Sequence, residues 1–90
     1  MIRPVGYRVS IKRSAEREMD RLPSQVFARV SQAILKLERE PRPPGHKKLR
    51  GVEEYRLRVG DYRVLYVIDD ATATVEVVAV GHRRDVYRGL

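Results

Sequence analysis

The chain has 90 residues with 19 Lys and Arg against 12 Asp and Glu, which gives a formal net charge of +7 and a pI of about 10.2. That length allows one domain, 1–90, burying only roughly 60 to 65% of its unfolded surface, so its core has to come from two packed layers. The absence of cysteine excludes disulfide staples and thiolate metal sites. No apolar run approaches the roughly 20 residues of a membrane span, while the basic balance calls for an acidic partner, nucleic acid first among them.

The start, MIRPVGYRVSIKR, lacks the apolar core of a signal peptide, and a soluble, cytoplasmic protein is expected. Tyr7, Val9 and Ile11 alternate with Arg8, Ser10 and Lys12, the period of a short half-buried strand. Ser14 then precedes Ala15, Met19 and Leu22 at helical spacing, with Glu16 in the first turn, predicting a short helix capped by Ser14 and ended by Pro23. Ser24 is placed to cap a second helix. There Phe27, Val30, Ile34 and Leu37, joined by Val26 and Ala33, form an apolar stripe, and Arg29, Gln32, Lys36 and Arg39 face away; Arg29, Lys36 and Arg39 read as solvated surface, with an RNA contact as the alternative.

Helical periodicity stops at Pro41, and Pro41, Arg42, Pro43, Pro44 and Gly45 make a stiff connector. The stretch from Lys47 to Tyr66, KKLRGVEEYRLRVGDYRVLY, returns to period two. Tyr55, Leu57 and Val59 share one face and Arg56 and Arg58 the other, while Gly60 and Asp61 form a Gly-first hairpin turn that brings Arg63 back towards both arginines. Asp69 to Ala73 make a second turn, and TVEVVAV (74–80) is apolar on both faces apart from Glu76, as an interior strand is. The expected fold is therefore α+β, in the order β-α-α-β-β-β: an antiparallel sheet with the two N-terminal helices packed on one face and the arginines on the other.

The last strand leads into Gly81, His82, Arg83 and Arg84, and in a meander Arg83 can approach Arg63 and Arg58. Like charges gathered in this way repel, so their grouping points to a missing anion. Fork-shaped, permanently charged donors on rigid strands suit a phosphodiester. Lys47, Lys48 and Arg50 lead into the same strand and are placed to hold RNA by phosphate contacts that carry no sequence information. His46 follows the Pro-Gly loop and reads as a solvated or RNA-contacting residue. Two distant histidines and the turn carboxylates Asp69 and Asp70 make no metal-ligand set, and neither a nucleophile elbow nor a Gly-rich phosphate loop is present. No metal and no cofactor are expected.

These residues carry a resemblance. KKLRGVEEYRLRVGDYRVLYVIDD followed by VGHRRDVY resembles the RelE family within the RelE/ParE superfamily of toxin-antitoxin systems, with Leu49-Arg50-Gly51, Gly60 to Arg63 and the terminal glycine, basic pair and tyrosine as its hallmarks. The resemblance covers nearly the whole chain. It implies an endoribonuclease that enters the ribosomal A site and cuts mRNA there, held inactive by a cognate antitoxin and meeting operator DNA only through the antitoxin complex. By position it makes Arg56, Arg58, Arg63, Arg83 and Tyr87 the active site. Many relatives carry a further C-terminal helix for which no residues follow Leu90, so an apolar patch is expected for the antitoxin to bury.

The implied reaction is attack of a ribose 2′-hydroxyl on the adjacent phosphorus. Arg63 and Arg83 suit neutralisation of charge on the equatorial oxygens. Arg56 and Arg58 stand where the best-known members have lysines, and a guanidinium that keeps its proton above about pH 12 is a poor acid or base. Tyr87, among cations that favour its phenolate, is one candidate for proton transfer. His82 is the other, although strict alternation points it away from Arg83 and an RNA contact is the simpler expectation. Two alternatives share the fold or the charge: a ParE-like toxin that inhibits DNA gyrase without cutting RNA, and a non-catalytic nucleic-acid-binding module, weakened by the lack of a recognition helix.

Overall fold

The computed structural model describes residues 6–44, 47–48 and 54–84, with residues 47 and 48 described by their backbone. Strand β1 (Arg8–Ile11) leads into helix α1 (Arg13–Asp20) and helix α2 (Ser24–Lys36), followed by the two-residue strand β2 (Lys47–Lys48) and strands β3 (Glu54–Val59), β4 (Tyr62–Asp69) and β5 (Thr74–His82). The order and the α+β class are those expected from the sequence. Among the described residues no helix is long and apolar enough to cross a membrane.

The sheet corrects one expectation: it is mixed, not purely antiparallel. Its order is β1-β5-β4-β3-β2, and β1 runs parallel to β5 with Val9 opposite Val75 and Ile11 opposite Val77. The cause lies in β5, whose apolar composition requires a neighbour on each edge; β4 supplies one and β1 the other. Alternation along β1 reveals its faces but not the direction of its partner, so periodicity alone leaves this pairing open.

Both helices pack on one face, where Ala15, Met19, Val30, Ile34 and Leu37 meet Leu57, Val64, Tyr66, Val75, Val77 and Val80. Two neighbouring valines in the middle of β5 would break the inward alternation, and a bulge resolves the conflict. Leu65 lies opposite Ala79 while Tyr66 lies opposite Val77, so Val78 is the extra residue and Val75, Val77 and Val80 all reach the helix side. Beside the bulge Val80 donates its N–H to Glu18 Oε1 at 3.0 Å, a carboxylate supplied by α1.

The helix ends differ from the sequence expectation. Lys12 and Pro23 occupy the N-cap positions, with no side-chain cap bond at either, because the helices begin one residue earlier than Ser14 and at Ser24 itself. Phe27 is 40% exposed, outside the buried stripe of Val30, Ile34 and Leu37.

The connector after α2 is tied to the sheet by a polar clamp. Arg42 donates to both carboxylate oxygens of Asp70 (3.2 and 2.9 Å), and the Tyr7 hydroxyl donates to Asp70 Oδ1 at 2.7 Å. These bonds, Arg42 first and Tyr7 second, hold the Asp70 carboxyl below its ordinary pKa; the Asp70 bond in turn raises that of Tyr7. The Arg42 guanidinium also lies 5.3 Å from the Tyr55 ring centre, and Tyr55 stacks on Tyr66 at 5.9 Å. Tyr66 is fully buried, donates to the Pro41 carbonyl at 2.8 Å and has its pKa pushed up to about 12 by burial. Bulk and hydrogen bonds thus fix the connector over the start of β3, at the end of the sheet opposite the Gly60 turn.

Candidate nucleic-acid interface

The basic hairpin is built around its turn. Gly60 has φ of 60° while Asp61 does not share the positive φ, which is the pattern of a Gly-first II′ turn whose twist matches the strands it joins. This turn sets Arg58 directly opposite Arg63, with Arg56 opposite Leu65 on the same face. The sheet's other face takes Tyr55, Leu57 and Val59, paired with Tyr66, Val64 and Tyr62. The division of β3 into a packed face and an arginine face follows directly from its period of two.

The arginines differ in exposure and in tethering. Arg58 is exposed and Arg56 half-buried, but Arg63 is only 9% exposed, since β4 lies inside the sheet between β3 and β5. Arg63 Nη1 donates to the carbonyls of Gly60 (3.3 Å) and Tyr62 (3.1 Å), and Arg58 Nε donates to the same Gly60 oxygen at 3.4 Å. Two guanidiniums therefore converge on one carbonyl, each with further N–H groups for another acceptor. A like-charged pair directly across two strands is unfavourable by itself, and a phosphate between the forks would reverse the sign of that interaction.

The other end of the chain returns to this turn. Gly81 is the register partner of Arg63, and Arg83 donates its backbone N–H to the Asp61 carbonyl at 2.9 Å. The Arg83 backbone is thereby fixed beside the hairpin turn, and its side chain is exposed. His82 takes the opposite side: it pairs with Tyr62, meets that ring edge-on at 5.5 Å and accepts the Arg84 N–H on Nδ1 at 3.2 Å.

In register Lys47 stands opposite Arg56 and Lys48 opposite Tyr55, which brings the backbone of the basic run alongside β3. The side chains of Lys47 and Lys48, together with His46, Arg50 and Tyr87, lie outside the described residues. Among those described, no three His, Asp or Glu side chains gather into a set that could hold a metal ion.

One approach to this turn was not foreseen from the sequence. Arg29, read as outward-facing surface of α2 with an RNA contact only as the alternative, places its guanidinium 3.7 Å from the point where a Cβ on Gly60 would stand. Its spacing of seven from Lys36 puts both on one stripe of the helix, and that was the available signal.

A family model described as the ParE toxin of the type II toxin-antitoxin system matches residues 9–87. The chain is 38% identical over 86 residues to toxin RelG of Mycobacterium tuberculosis, covering 91% of this chain and 97% of that protein. It is also 36% identical over 85 residues to toxin RelE of the same organism, covering 91% and 87%. Among solved structures it resembles a chain of the toxin-antitoxin complex RelBE2 of M. tuberculosis, with a TM-score of 0.80, 36% identity and coverage of 88% of this chain and all of that one.

Proposed function

The chain belongs to the RelE/ParE family of type II toxin-antitoxin toxins, and from that premise we propose that it is a ribosome-dependent endoribonuclease that cleaves mRNA in the A site. The observation that carries the reading is the convergence of Arg58 and Arg63 on the Gly60 carbonyl, with the Arg83 backbone bonded to the same turn. This arrangement suits a scissile phosphate. The ribose 2′-hydroxyl attacks the adjacent phosphorus, its P–O bond forms as the bond to the 5′ oxygen breaks, and the products are a 2′,3′-cyclic phosphate and a 5′-hydroxyl. Charge grows on the equatorial oxygens during that step, where Arg63, held in place by two backbone carbonyls, and Arg83 stabilise it without reorganising.

Arg56 and Arg58 clamp the phosphate but keep their protons, so proton transfer is assigned, by its position in the family pattern, to Tyr87, which takes the 2′-hydroxyl proton and returns one to the departing 5′ oxygen. Lys47, Lys48 and Arg50 take the flanking RNA or ribosomal RNA through its phosphates. His82 is engaged with Tyr62 and the Arg84 N–H, which favours a supporting place beside the RNA over proton transfer. No cofactor or metal enters the reaction. A cognate antitoxin protein is the partner, as the complex formed by the RelBE2 relative supports; it masks the basic face by charge complementarity in the cytoplasm, and operator DNA is met only through that complex.

The alternative of gyrase inhibition by a ParE-like toxin is separated by the same experiment. After induction, new 5′ ends are mapped across cellular messages. Cuts inside translated codons that vanish with Arg63→Ala and with Tyr87→Ala are the expected result; growth arrest with intact messages and broken DNA would remove the nuclease reading.

A further inference from the structure

A groove of about 480 Å³ runs between α2, the proline connector and the rim of β3 beside the Gly60 turn. Among the described residues it is lined by Arg29 and Lys36 of α2 and bordered by Arg58 of β3, its apolar floor is formed mainly by Pro43, Leu57 and Val59, and no carboxylate lines it. A smaller hollow of about 210 Å³ continues it past Arg29 and Gly60 to Asp61 and Tyr62. Among the described residues no carboxylate forms an ion pair with Arg29 or Lys36.

Arg58 stands where the two surfaces meet: it borders this groove along β3, while its side chain belongs to the arginine face, with Nε bonded to the Gly60 carbonyl that also anchors Arg63. Arg29 approaches the same glycine from the helix side of the sheet. Three guanidiniums from three elements therefore ring one turn, and the cationic line continues along α2 to Lys36, two helical turns further on. Spaced cations over a partly apolar floor match a single nucleic-acid strand, whose phosphates take the charges while riboses and bases lie on the aliphatic side chains.

We propose that the groove between α2 and β3 is a second phosphate-binding subsite, in which Arg29 and Lys36 hold the RNA strand as it passes from the Arg58–Arg63 site over the hairpin turn. It rests on the reading of the chain as a toxin that acts on RNA. The commitment to RNA over an acidic protein segment comes from continuity: the groove and the arginine face meet at the Gly60 turn, on which Arg29, Arg58 and Arg63 converge, so one strand can pass from one to the other.

The test is anisotropy titration of a 2′-O-methyl oligouridylate of roughly 12 nucleotides, which cannot be cleaved, across a salt series with the full chain. The Arg29→Ala/Lys36→Ala protein should bind about tenfold or more weakly, and its slope of log affinity against log salt should be shallower by about 1.4, roughly 0.7 for each lost phosphate contact. Arg17→Ala/Arg39→Ala removes equal charge from exposed positions outside the groove and should leave the slope near that of the parent. Equal slopes for the parent and the groove variant, or equal loss in both doubles, overturn the subsite. Loss of an oligoglutamate peptide with no loss of RNA overturns it in favour of an acidic protein segment. If messages stay intact on induction while the groove variant still loses its salt slope, the nuclease reading fails and the subsite stands; cut messages with an unchanged slope give the reverse.

Discussion

Gly60 is the residue on which the basic site turns. Its φ of 60° lies where an L side chain is strained, and its carbonyl accepts from both Arg58 and Arg63. An added Cβ would meet Arg29 only at ordinary contact distance, so the cost of Gly60→Ala is conformational and not a clash. Gly60→Ala should destabilise the fold by about 1–2 kcal/mol in denaturant titration and weaken RNA binding as the turn relaxes and the two guanidiniums part. Unchanged stability would mean that the turn tolerates another geometry. The glycine was legible, because Gly-Asp between two alternating runs allows little else. The burial of Arg63 was not, because alternation gives the face a side chain occupies but not its depth, and depth depends on β4 lying between β3 and β5.

At the scale of elements, the connector and the strands are locked by residues that no local pattern pairs. Arg42 reaches Asp70 across 28 positions of sequence and Tyr7 reaches it across 63. Sequence reading placed Asp70 only as a turn carboxylate, since its partners are chosen by tertiary approach. Its lowered pKa fixes the sign of the pH dependence. Native Asp70 gives up its proton more readily than the unfolded residue, so its contribution is present above the ordinary carboxylate value of about 3.9 and is lost as pH falls below it. Asp70→Asn should therefore lower the urea midpoint at pH 7, and the gap from the parent should be narrower at about pH 3. A gap of equal size at both pH values would show that the carboxylate charge is not what holds the clamp. Salt should narrow the gap as well, because the pair is exposed: the side chains of Arg42 and Asp70 are 37% and 56% accessible.

For the molecule as a whole, periodicity gave the two helices, the hairpin and the interior character of β5, because each is written in local spacing. The parallel seat of β1 and the bulge at Val78 depend on which strands meet, and no local spacing records that. The same division runs through the site. Arg56, Arg58 and Arg63 were read from one hairpin and Arg83 from the path of the meander, while Arg29, weighed only as an alternative RNA contact, comes to the turn through the approach of α2 to Gly60. We propose that what unites them is binding to phosphates, and the central claim is that the protein cuts RNA on the ribosome. The most direct measurement is primer extension on a defined message bound to purified ribosomes with an empty A site, with the parent protein and with Arg63→Ala. The parent should produce a new 5′ end within the A-site codon only when ribosomes are present, and Arg63→Ala should slow that cut by about 10²–10³-fold. An intact message with the parent protein, or cutting that is indifferent to ribosomes and to Arg63, would contradict the account.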